Sequence, residues 1–257
     1  MTGRQLENRI ALITGAGAGI GKAVVRRFAE HGALVTFTDI SEEVGARAVD
    51  ELPKAGLSAT FVQADARAED ETRRLVETLV STHGRLDIAV NNVGGLDKDD
   101  PPGATITDTS YEAWKSTIDF SLSATFLAMK YELLQMVKQG GGVIVNTSST
   151  AGLRVTKTAT PAYNVAKIGV LHLTRTAAVQ YARNNIRVNA VAPGFTLTEA
   201  VKSYWSEDER EIHCKGSPRS RFLEPGQLAD AFLFLCSDQS SGVSGVVLPV
   251  DDGLAVA

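Results

Sequence analysis

The feature that most constrains the fold of this chain is a glycine-rich stretch at residues 14–21, which reads Thr-Gly-Ala-Gly-Ala-Gly-Ile-Gly. An aliphatic run at residues 10–13 precedes it and predicts a β-strand, whereas the apolar spacing at residues 20–28 predicts an amphipathic helix. A strand that turns through glycines into a helix is typical of dinucleotide-binding proteins. The glycines let the backbone approach a pyrophosphate, and the helix N-terminus supplies unpaired N–H groups. The stretch therefore predicts a phosphate-binding turn.

Composition narrows the class of protein. The chain has 257 residues and a formal net charge of −4, which gives no indication of a nucleic-acid footprint. Its two cysteines and four histidines show no metal-ligand spacing, and the cysteines fit a reducing compartment. No apolar run approaches 18 residues, and the first five residues do not resemble a signal peptide. We therefore expect a cytoplasmic protein without a metal centre, a membrane span or a nucleic-acid partner.

Strand and helix patterns alternate along the whole chain. Strands are predicted at residues 10–13, 33–38, 58–63, 86–90, 143–147, 186–191 and 245–250. One helix is predicted directly after the glycine turn, and others are predicted at residues 42–52, 69–83, 111–137, 160–183 and 225–236. Residues 195–216 lack a strong period, and we expect them to form short helices that cover the substrate. This alternation predicts an α/β protein with a doubly wound parallel sheet of about seven strands and helices on both faces. No linker or repeat interrupts the pattern, so we expect one domain over residues 1–257.

Polar residues and glycines follow the predicted strands, where ligands bind in folds of this kind. They are the turn at residues 15–21, Asp39, Asp65, the segment 91–94, Ser149, and Pro193 with Gly194. Asp39 lies 18 residues after Gly21, a distance that suits a hydrogen bond to the ribose hydroxyls of NAD. Its charge would repel the 2′-phosphate of NADP, and neither Ile40 nor Ser41 supplies a compensating cation. The sequence thus predicts one site, with NAD preferred over NADP.

Tyr163 and Lys167 are four residues apart on a predicted helix and so share one face. Because of these two residues and the motifs named next, the chain resembles the short-chain dehydrogenase/reductase family in its single-domain form with a Rossmann fold. The resemblance covers essentially the whole sequence. The matching motifs are the glycine turn, Asn91-Asn92-Val93-Gly94, Ser149, Tyr163-Asn164-Val165-Ala166-Lys167, Asn189, Pro193-Gly194, Thr198 and Val250-Asp251-Asp252-Gly253. Val93 and Asp252 depart from the family pattern. The resemblance implies cofactor contacts from Gly15, Ala18, Gly19, Ile20, Gly21, Asp39, Ile40, Asp65, Ala66, Asn92, Val93, Gly94, Tyr163, Lys167, Pro193, Gly194 and Thr198.

The three polar side chains suit hydride transfer. A nicotinamide cofactor carries the hydride, and the protein must hold the substrate oxygen and move its proton. A free tyrosine has a pKa of about 10, which a neighbouring ammonium group lowers by favouring the phenolate. We expect Tyr163 to be the general acid/base, Lys167 its electrostatic partner, and Ser149 the group that holds the substrate oxygen. In the family, the lysine also binds the nicotinamide ribose.

One position departs from the family in a way that affects this chemistry. The resemblance places a catalytic asparagine, which helps order a water that passes protons to the lysine, where this chain has Ser121. A serine is shorter but could still hold a water. Alternatively, Ser121 is only a small residue in a packed helix, and the sequence leaves both interpretations open.

These observations predict an NAD-dependent oxidoreductase that acts on a secondary alcohol or its ketone. Two alternatives remain: a cis-dihydrodiol dehydrogenase of aromatic breakdown, suggested by Asn-Asn-Val-Gly-Gly at residues 91–95 together with Ser121, and a catalytically idle dinucleotide-binding protein that senses redox state. The intact set of Ser149, Tyr163 and Lys167 favours an enzyme. Related proteins pair their two long helices across a two-fold axis, so we also expect a homotetramer.

Overall fold

A computed structural model describes residues 4–52, 55–97, 99–101, 103–156 and 158–257. Seven strands form one parallel sheet: β1 Ile10–Thr14, β2 Leu34–Asp39, β3 Thr60–Gln63, β4 Ile88–Asn91, β5 Gly142–Thr147, β6 Ile186–Pro193 and β7 Val247–Val250. Their order across the sheet is β3-β2-β1-β4-β5-β6-β7. This order is that of the doubly wound fold, and the chain reverses its winding direction between β1 and β4. The predicted fold class is confirmed.

Helices connect the strands. They are α1 Gly19–Glu30, α2 Glu42–Glu51, α3 Glu69–His83, α4 Tyr111–Ile118, α5 Ala124–Gln139, α6 Pro161–Gln180, α7 Glu199–Tyr204, α8 Glu207–Lys215 and α9 Pro225–Cys236. Among the described residues, no helix has the length and apolar character needed to span a membrane.

The core consists of two apolar clusters. Val24 and Phe28 of α1 and Phe232 of α9 belong to one cluster, and Leu79 of α3 and Met136 of α5 belong to the other. All five side chains are buried. Because successive strand residues point to opposite faces, the nearly continuous apolar sequences of the strands serve both clusters. The helices α1 and α9 thus lie with one cluster, and α3, α5 and part of α6 with the other.

Strand register brings the predicted site residues to one edge. Thr14 pairs with Asn91, and Asn91 pairs with Asn146, so β1, β4 and β5 end at the same level. Asp39 pairs with Gln63 near the ends of β2 and β3. The loops that follow these strands therefore open onto a common edge.

The structure corrects the helix predicted at residues 111–137. Helix α4 ends at Ile118, α5 begins at Ala124, and a π-helical segment, Asp119–Ser123, joins them. A π-helix accommodates an extra residue within a helical turn, and such segments occur frequently at functional sites. Ser121 lies in this segment and is completely buried.

Two other predictions differ only in detail. The helix expected at residues 160–183 has Thr160 as its N-cap and ends at Gln180. The segment 195–216 contains the short helices α7 and α8, as expected. Most strand boundaries lie within two residues of the predicted positions, because buried β-branched runs mark these strands clearly.

Candidate active site

The glycine turn between β1 and α1 has the geometry that its sequence predicts. Gly15 has a φ of +60°, and a Cβ there would lie 2.9 Å from the Val93 Cγ2 atom. A Cβ at Gly21 would lie 2.5 Å from the Gly15 carbonyl oxygen, so only glycine permits this close packing. No acidic side chain occupies the first turn of α1. The helix N-terminus therefore presents its N–H groups to an anion without electrostatic competition.

Asp39 is held by the backbone on both sides of its carboxylate. Its Oδ2 atom accepts a hydrogen bond from the Gly17 N–H at 3.1 Å, and its Oδ1 atom accepts one from the Ser41 N–H at 3.1 Å. These contacts fix the carboxylate beside the glycine turn, at the C-terminal end of β2. A group held there is positioned to accept hydrogen bonds from ribose hydroxyls.

Asp65, after β3, forms a close ion pair with Arg67. The Arg67 Nη2 and Asp65 Oδ2 atoms lie 2.8 Å apart, and this hydrogen bond lowers the pKa of the Asp65 carboxyl. Ile40 lies across the same end of the cavity and is half exposed. Arg67 therefore offsets the negative charge of Asp65, whereas the Asp39 carboxylate is held by backbone N–H groups.

The segment after β4 is bonded to the glycine turn. The Asn92 side-chain amide donates to the Gly15 carbonyl oxygen at 2.7 Å, and its Oδ1 atom accepts from the Thr147 hydroxyl at 3.3 Å. The Asn92 N–H also donates to the Thr14 hydroxyl oxygen. Asn92 thus connects the ends of β1, β4 and β5.

Ser149, Tyr163 and Lys167 converge on the cavity. Ser149 follows β5 and accepts from the Ala151 N–H at 3.1 Å, whereas Tyr163 lies in the first turn of α6, capped by the Thr160 hydroxyl. Lys167, which is buried, donates from Nζ to the Thr147 carbonyl oxygen at 3.0 Å. Its Nζ atom lies 5.5 Å from the centroid of the Tyr163 ring. The three side chains therefore form one group.

Burial alters the acidity of two members of this group. Desolvation raises the pKa of Tyr163, and a hydrogen bond with Ser149 acts in the opposite direction. Desolvation lowers the pKa of Lys167 to about 8. Both groups are therefore shifted towards their uncharged forms, and a phenolate at Tyr163 requires added positive charge nearby.

A cavity of about 680 Å³ joins these features. It is lined by nearly all the residues expected to bind cofactor or substrate: Gly15, Ala18, Gly19, Ile20, Asp39, Ile40, Asp65, Ala66, Asn92, Val93, Gly94, Ser149, Tyr163, Lys167, Pro193, Gly194 and Thr198. Two expected residues lie behind its wall. Gly21 packs against Gly15, and Ser121 lies behind Gly95.

Ser121 uses its hydroxyl to hold the backbone of Gly95. The hydroxyl donates to the Gly95 carbonyl oxygen at 2.8 Å and accepts from the Gly95 N–H at 3.0 Å. A Cβ added at Gly94 would lie 2.6 Å from Lys167 Nζ and 3.5 Å from Ser121 Oγ, so both groups border this glycine. One acceptor lone pair of the hydroxyl is left over after these contacts. These contacts join the π-helical segment to the loop that follows β4.

The sequence did not identify several large apolar residues that line the cavity. They are Leu96, Phe120, Phe195, Val201 and Trp205. These residues come from three separated segments, and no spacing rule relates them. An apolar residue directly after a strand-end loop, such as Leu96 or Phe195, was the available signal.

Aromatic contacts hold the α7–α8 segment together. Trp205 stacks on His213 with ring centroids 3.9 Å apart, and Phe195 packs edge-on against Trp205 at 5.9 Å. Phe222 lies 6.0 Å from Phe195. The segment is therefore tied to the loop after β6, next to the cavity.

The fold and the residues gathered at the carboxyl edge of the sheet are typical of one class of protein, the oxidoreductases that use a nicotinamide dinucleotide. A family model described as enoyl-(acyl carrier protein) reductase matches residues 15–255. The chain belongs to the short-chain dehydrogenase/reductase family.

Individual relatives support this membership over the full length. The chain is 40% identical to an A-factor type gamma-butyrolactone 1′-reductase (1S-forming) of Streptomyces virginiae, with all of both chains covered. It is 36% identical to a cyclohexanol dehydrogenase of Acinetobacter, over 96% of this chain and 95% of that protein. The crystal structure of a short-chain type dehydrogenase/reductase from Mycobacterium marinum superimposes with a TM-score of 0.92 at 30% identity, covering 99% and 98% of the two chains.

Proposed function

We propose that this protein is an NAD-dependent dehydrogenase that interconverts a secondary alcohol and its ketone, and that residues 1–257 act as one catalytic domain. The observation that carries the proposal is the convergence of Ser149, Tyr163 and Lys167 beside the glycine turn, in a single cavity. The bound nicotinamide would accept or supply the hydride.

The side chains of this chain would manage the proton and the oxygen. Ser149 would hold the substrate oxygen by a hydrogen bond, beside the Tyr163 hydroxyl. Tyr163 would take the proton from the alcohol, or return it to the ketone oxygen. Lys167 and the positive charge of the oxidised cofactor would lower the Tyr163 pKa, opposing the effect of burial.

The preference for NAD is assigned to Asp39. A 2′-phosphate on the adenosine ribose would lie next to this carboxylate, whose two oxygens already accept backbone N–H groups. The negative charges of the phosphate and the carboxylate would repel each other, and the carboxylate cannot turn away without losing both hydrogen bonds. Asp39 thus supports NAD and disfavours NADP.

The substrate end of the cavity favours a substrate with an apolar body. Among the described lining residues, the charged ones are Asp39 and Asp65 at the opposite end, and Lys167. The segment that follows β6 contributes apolar surface to the cavity instead, from Phe195, Val201 and Trp205. An alicyclic alcohol would bury its ring against them, gaining about 25 cal/mol for each Å² of apolar surface.

The test is a screen of secondary alcohols with NAD, following the absorbance of the reduced cofactor. Cyclic alcohols such as cyclohexanol should be oxidised faster than short linear ones. A protein that binds NADH but turns over no alcohol or ketone would instead be the idle redox sensor. Preferential turnover of cis-dihydrodiols would instead support the cis-dihydrodiol dehydrogenase of aromatic breakdown.

A further inference from the structure

A buried carboxyl group outside the catalytic set is hydrogen-bonded to the last residue of β4. Glu132, on α5, has no solvent exposure, and its Oε2 atom accepts a hydrogen bond from the Asn91 side-chain amide at 3.0 Å. That amide also donates to the Asn146 Oδ1 atom at 3.0 Å. Asn91 is the last residue of β4, immediately before Asn92.

Two acceptor atoms in this cluster have no hydrogen-bond partner within the described part of the chain. They are Oδ1 of Asn91 and Oε1 of Glu132, the second oxygens of the two groups that already share one hydrogen bond. Two buried acceptor atoms without hydrogen bonds destabilise the folded protein, because each has lost its contact with water. A single proton on Glu132 would satisfy both, because a carboxylic acid and a primary amide can form two reciprocal hydrogen bonds.

Among the described residues, no cation forms an ion pair with this carboxyl. Burial is the larger influence and raises the pKa of Glu132 to about 7, while the hydrogen bond from Asn91 opposes it. On α3, which packs against α5, Glu69 pairs with Lys130, and Arg73 pairs with Asp70, all at solvent-accessible positions. These charges are already matched and do not neutralise Glu132.

We propose that Glu132 is a protonated positioning residue, joined to Asn91 as a neutral acid–amide pair that fixes the cofactor-binding segment 91–95. Glu132 holds the start of this segment through Asn91, and Ser121 holds its end through Gly95. Asn92, between them, carries the hydrogen bond to the Gly15 carbonyl oxygen. Ionisation of Glu132 breaks the acid-to-amide hydrogen bond and loosens the segment against the glycine turn.

The decisive variant is Glu132→Gln. A glutamine can donate to Asn91 Oδ1 and accept from Asn91 Nδ2, so it reproduces the neutral pair at every pH. Glu132→Met has a similar size but cannot form the pair. Glu112→Gln changes an exposed carboxyl on α4 and is the matched control.

The first measurement is infrared difference spectroscopy at pH 6 without cofactor. We expect wild type minus Glu132→Gln to show the carbonyl band of a protonated carboxylic acid, and wild type minus Glu112→Gln to lack it. Only carboxylate bands in the first difference would overturn the proposal. This readout is independent of enzyme activity, so it can fail while the proposed function stands, or succeed while that function fails.

The second measurement is NADH affinity between pH 6 and pH 8.5, by cofactor fluorescence. In wild type, the Kd should rise about fivefold more across this range than in Glu132→Gln, which is the scale of one lost hydrogen bond. Glu132→Met should bind weakly throughout, and Glu112→Gln should follow wild type. Parallel pH profiles for wild type and Glu132→Gln would show that Glu132 does not position the segment.

Discussion

At the scale of single residues, the role of Tyr163 is the most direct to test. We predict that Tyr163→Phe lowers kcat by about 10²- to 10⁴-fold, because the ring remains while the proton carrier is removed. The Kd for NADH should stay within about twofold of wild type, since the change leaves the cofactor end of the cavity intact. Stopped-flow turnover and fluorescence titration measure the two quantities. Near-normal turnover would remove Tyr163 from the mechanism.

Asp39 gives a second prediction at this scale. Wild type should favour NAD over NADP by about a hundredfold in kcat/KM, because juxtaposed like charges cost several kcal/mol. The double variant Asp39→Ser with Ile40→Arg should narrow or reverse this ratio, since an arginine can bind a 2′-phosphate. Steady-state kinetics with both cofactors gives the ratio. A wild-type preference for NADP would show that Asp39 does not select the cofactor.

Glu132 illustrates what could not be anticipated from a residue and its neighbours in the sequence. A single glutamate within a long amphipathic helix normally faces water, and no motif distinguishes this one. Its burial follows from the way α5 packs over the ends of β4 and β5. Asp39, in contrast, was recognisable because its distance from the glycine turn is set by one β-strand and one helix.

The buried carboxyl of Glu132 predicts how the free energy of unfolding varies with pH. The unfolded chain releases the Glu132 proton near its ordinary pKa of 4.5, whereas the folded protein keeps it up to a pKa of about 7. Stability should therefore fall as the pH rises from about 4.5 to 7 and change no further from this cause. Thermal unfolding of wild type and Glu132→Gln should diverge over this window, with the glutamine variant the more stable at pH 7. If the difference in Tm between wild type and Glu132→Gln were the same at every pH, the raised pKa of Glu132 would be contradicted.

At the scale of elements, strands and helices were largely predictable, and the π-helical segment was not. Apolar runs and helical periodicity fix the positions of β1, β5 and α3, because these signals arise from burial on the sheet. Asp119–Ser123 has the composition of an ordinary helix, and in the structure its widened turn coincides with the contact between Ser121 and Gly95. Local sequence preference does not encode such a contact.

Ser121 belongs to this element, and its variants separate two roles. Ser121→Ala would leave the Gly95 N–H and carbonyl without their partner, so we predict that kcat/KM falls about tenfold, equivalent to about 1.4 kcal/mol. If the serine positions the loop, the Kd for NADH rises as well. If it passes protons to Lys167 through a water, kcat falls in a pH-dependent way with the Kd unchanged.

Ser121→Asn is the companion variant and should retain activity if the longer amide fits the π-helical segment. Thermal unfolding of both variants excludes simple destabilisation as the cause of a loss. Wild-type values for Ser121→Ala in kcat, Kd and Tm would reduce the serine to a packing residue.

At the scale of the whole molecule, helices α5 and α6 each expose large apolar side chains to solvent. Phe126 and Leu134 on α5 are 50% and 62% exposed, and Ile168 and Val179 on α6 are 56% and 80% exposed. Patches of this kind mark interfaces between proteins. We predict a homotetramer built on these helices, and light scattering at micromolar concentration should give about four times the monomer mass. A monomeric mass would refute this.

Charge substitutions at the predicted interface extend this test. Leu134→Glu combined with Ile168→Glu should dissociate the assembly, because paired copies would bring the new carboxylates into an apolar interface. Leu34 on β2 is 50% exposed and lies outside both helices, so Leu34→Glu is the control substitution. If the control Leu34→Glu also dissociated the assembly, the test would not place the subunit interface on α5 and α6.

One consequence concerns the length of the chain rather than its chemistry. Ser121 and Glu132 are eleven residues apart, about three helical turns, and they form hydrogen bonds with opposite ends of segment 91–95. Removing one residue between them would rotate Glu132 by about 100° about the helix axis relative to Ser121. A substitution on the outer surface of α5 leaves this spacing unchanged, whereas an insertion or deletion between Ser121 and Glu132 would displace one end of segment 91–95 relative to the other.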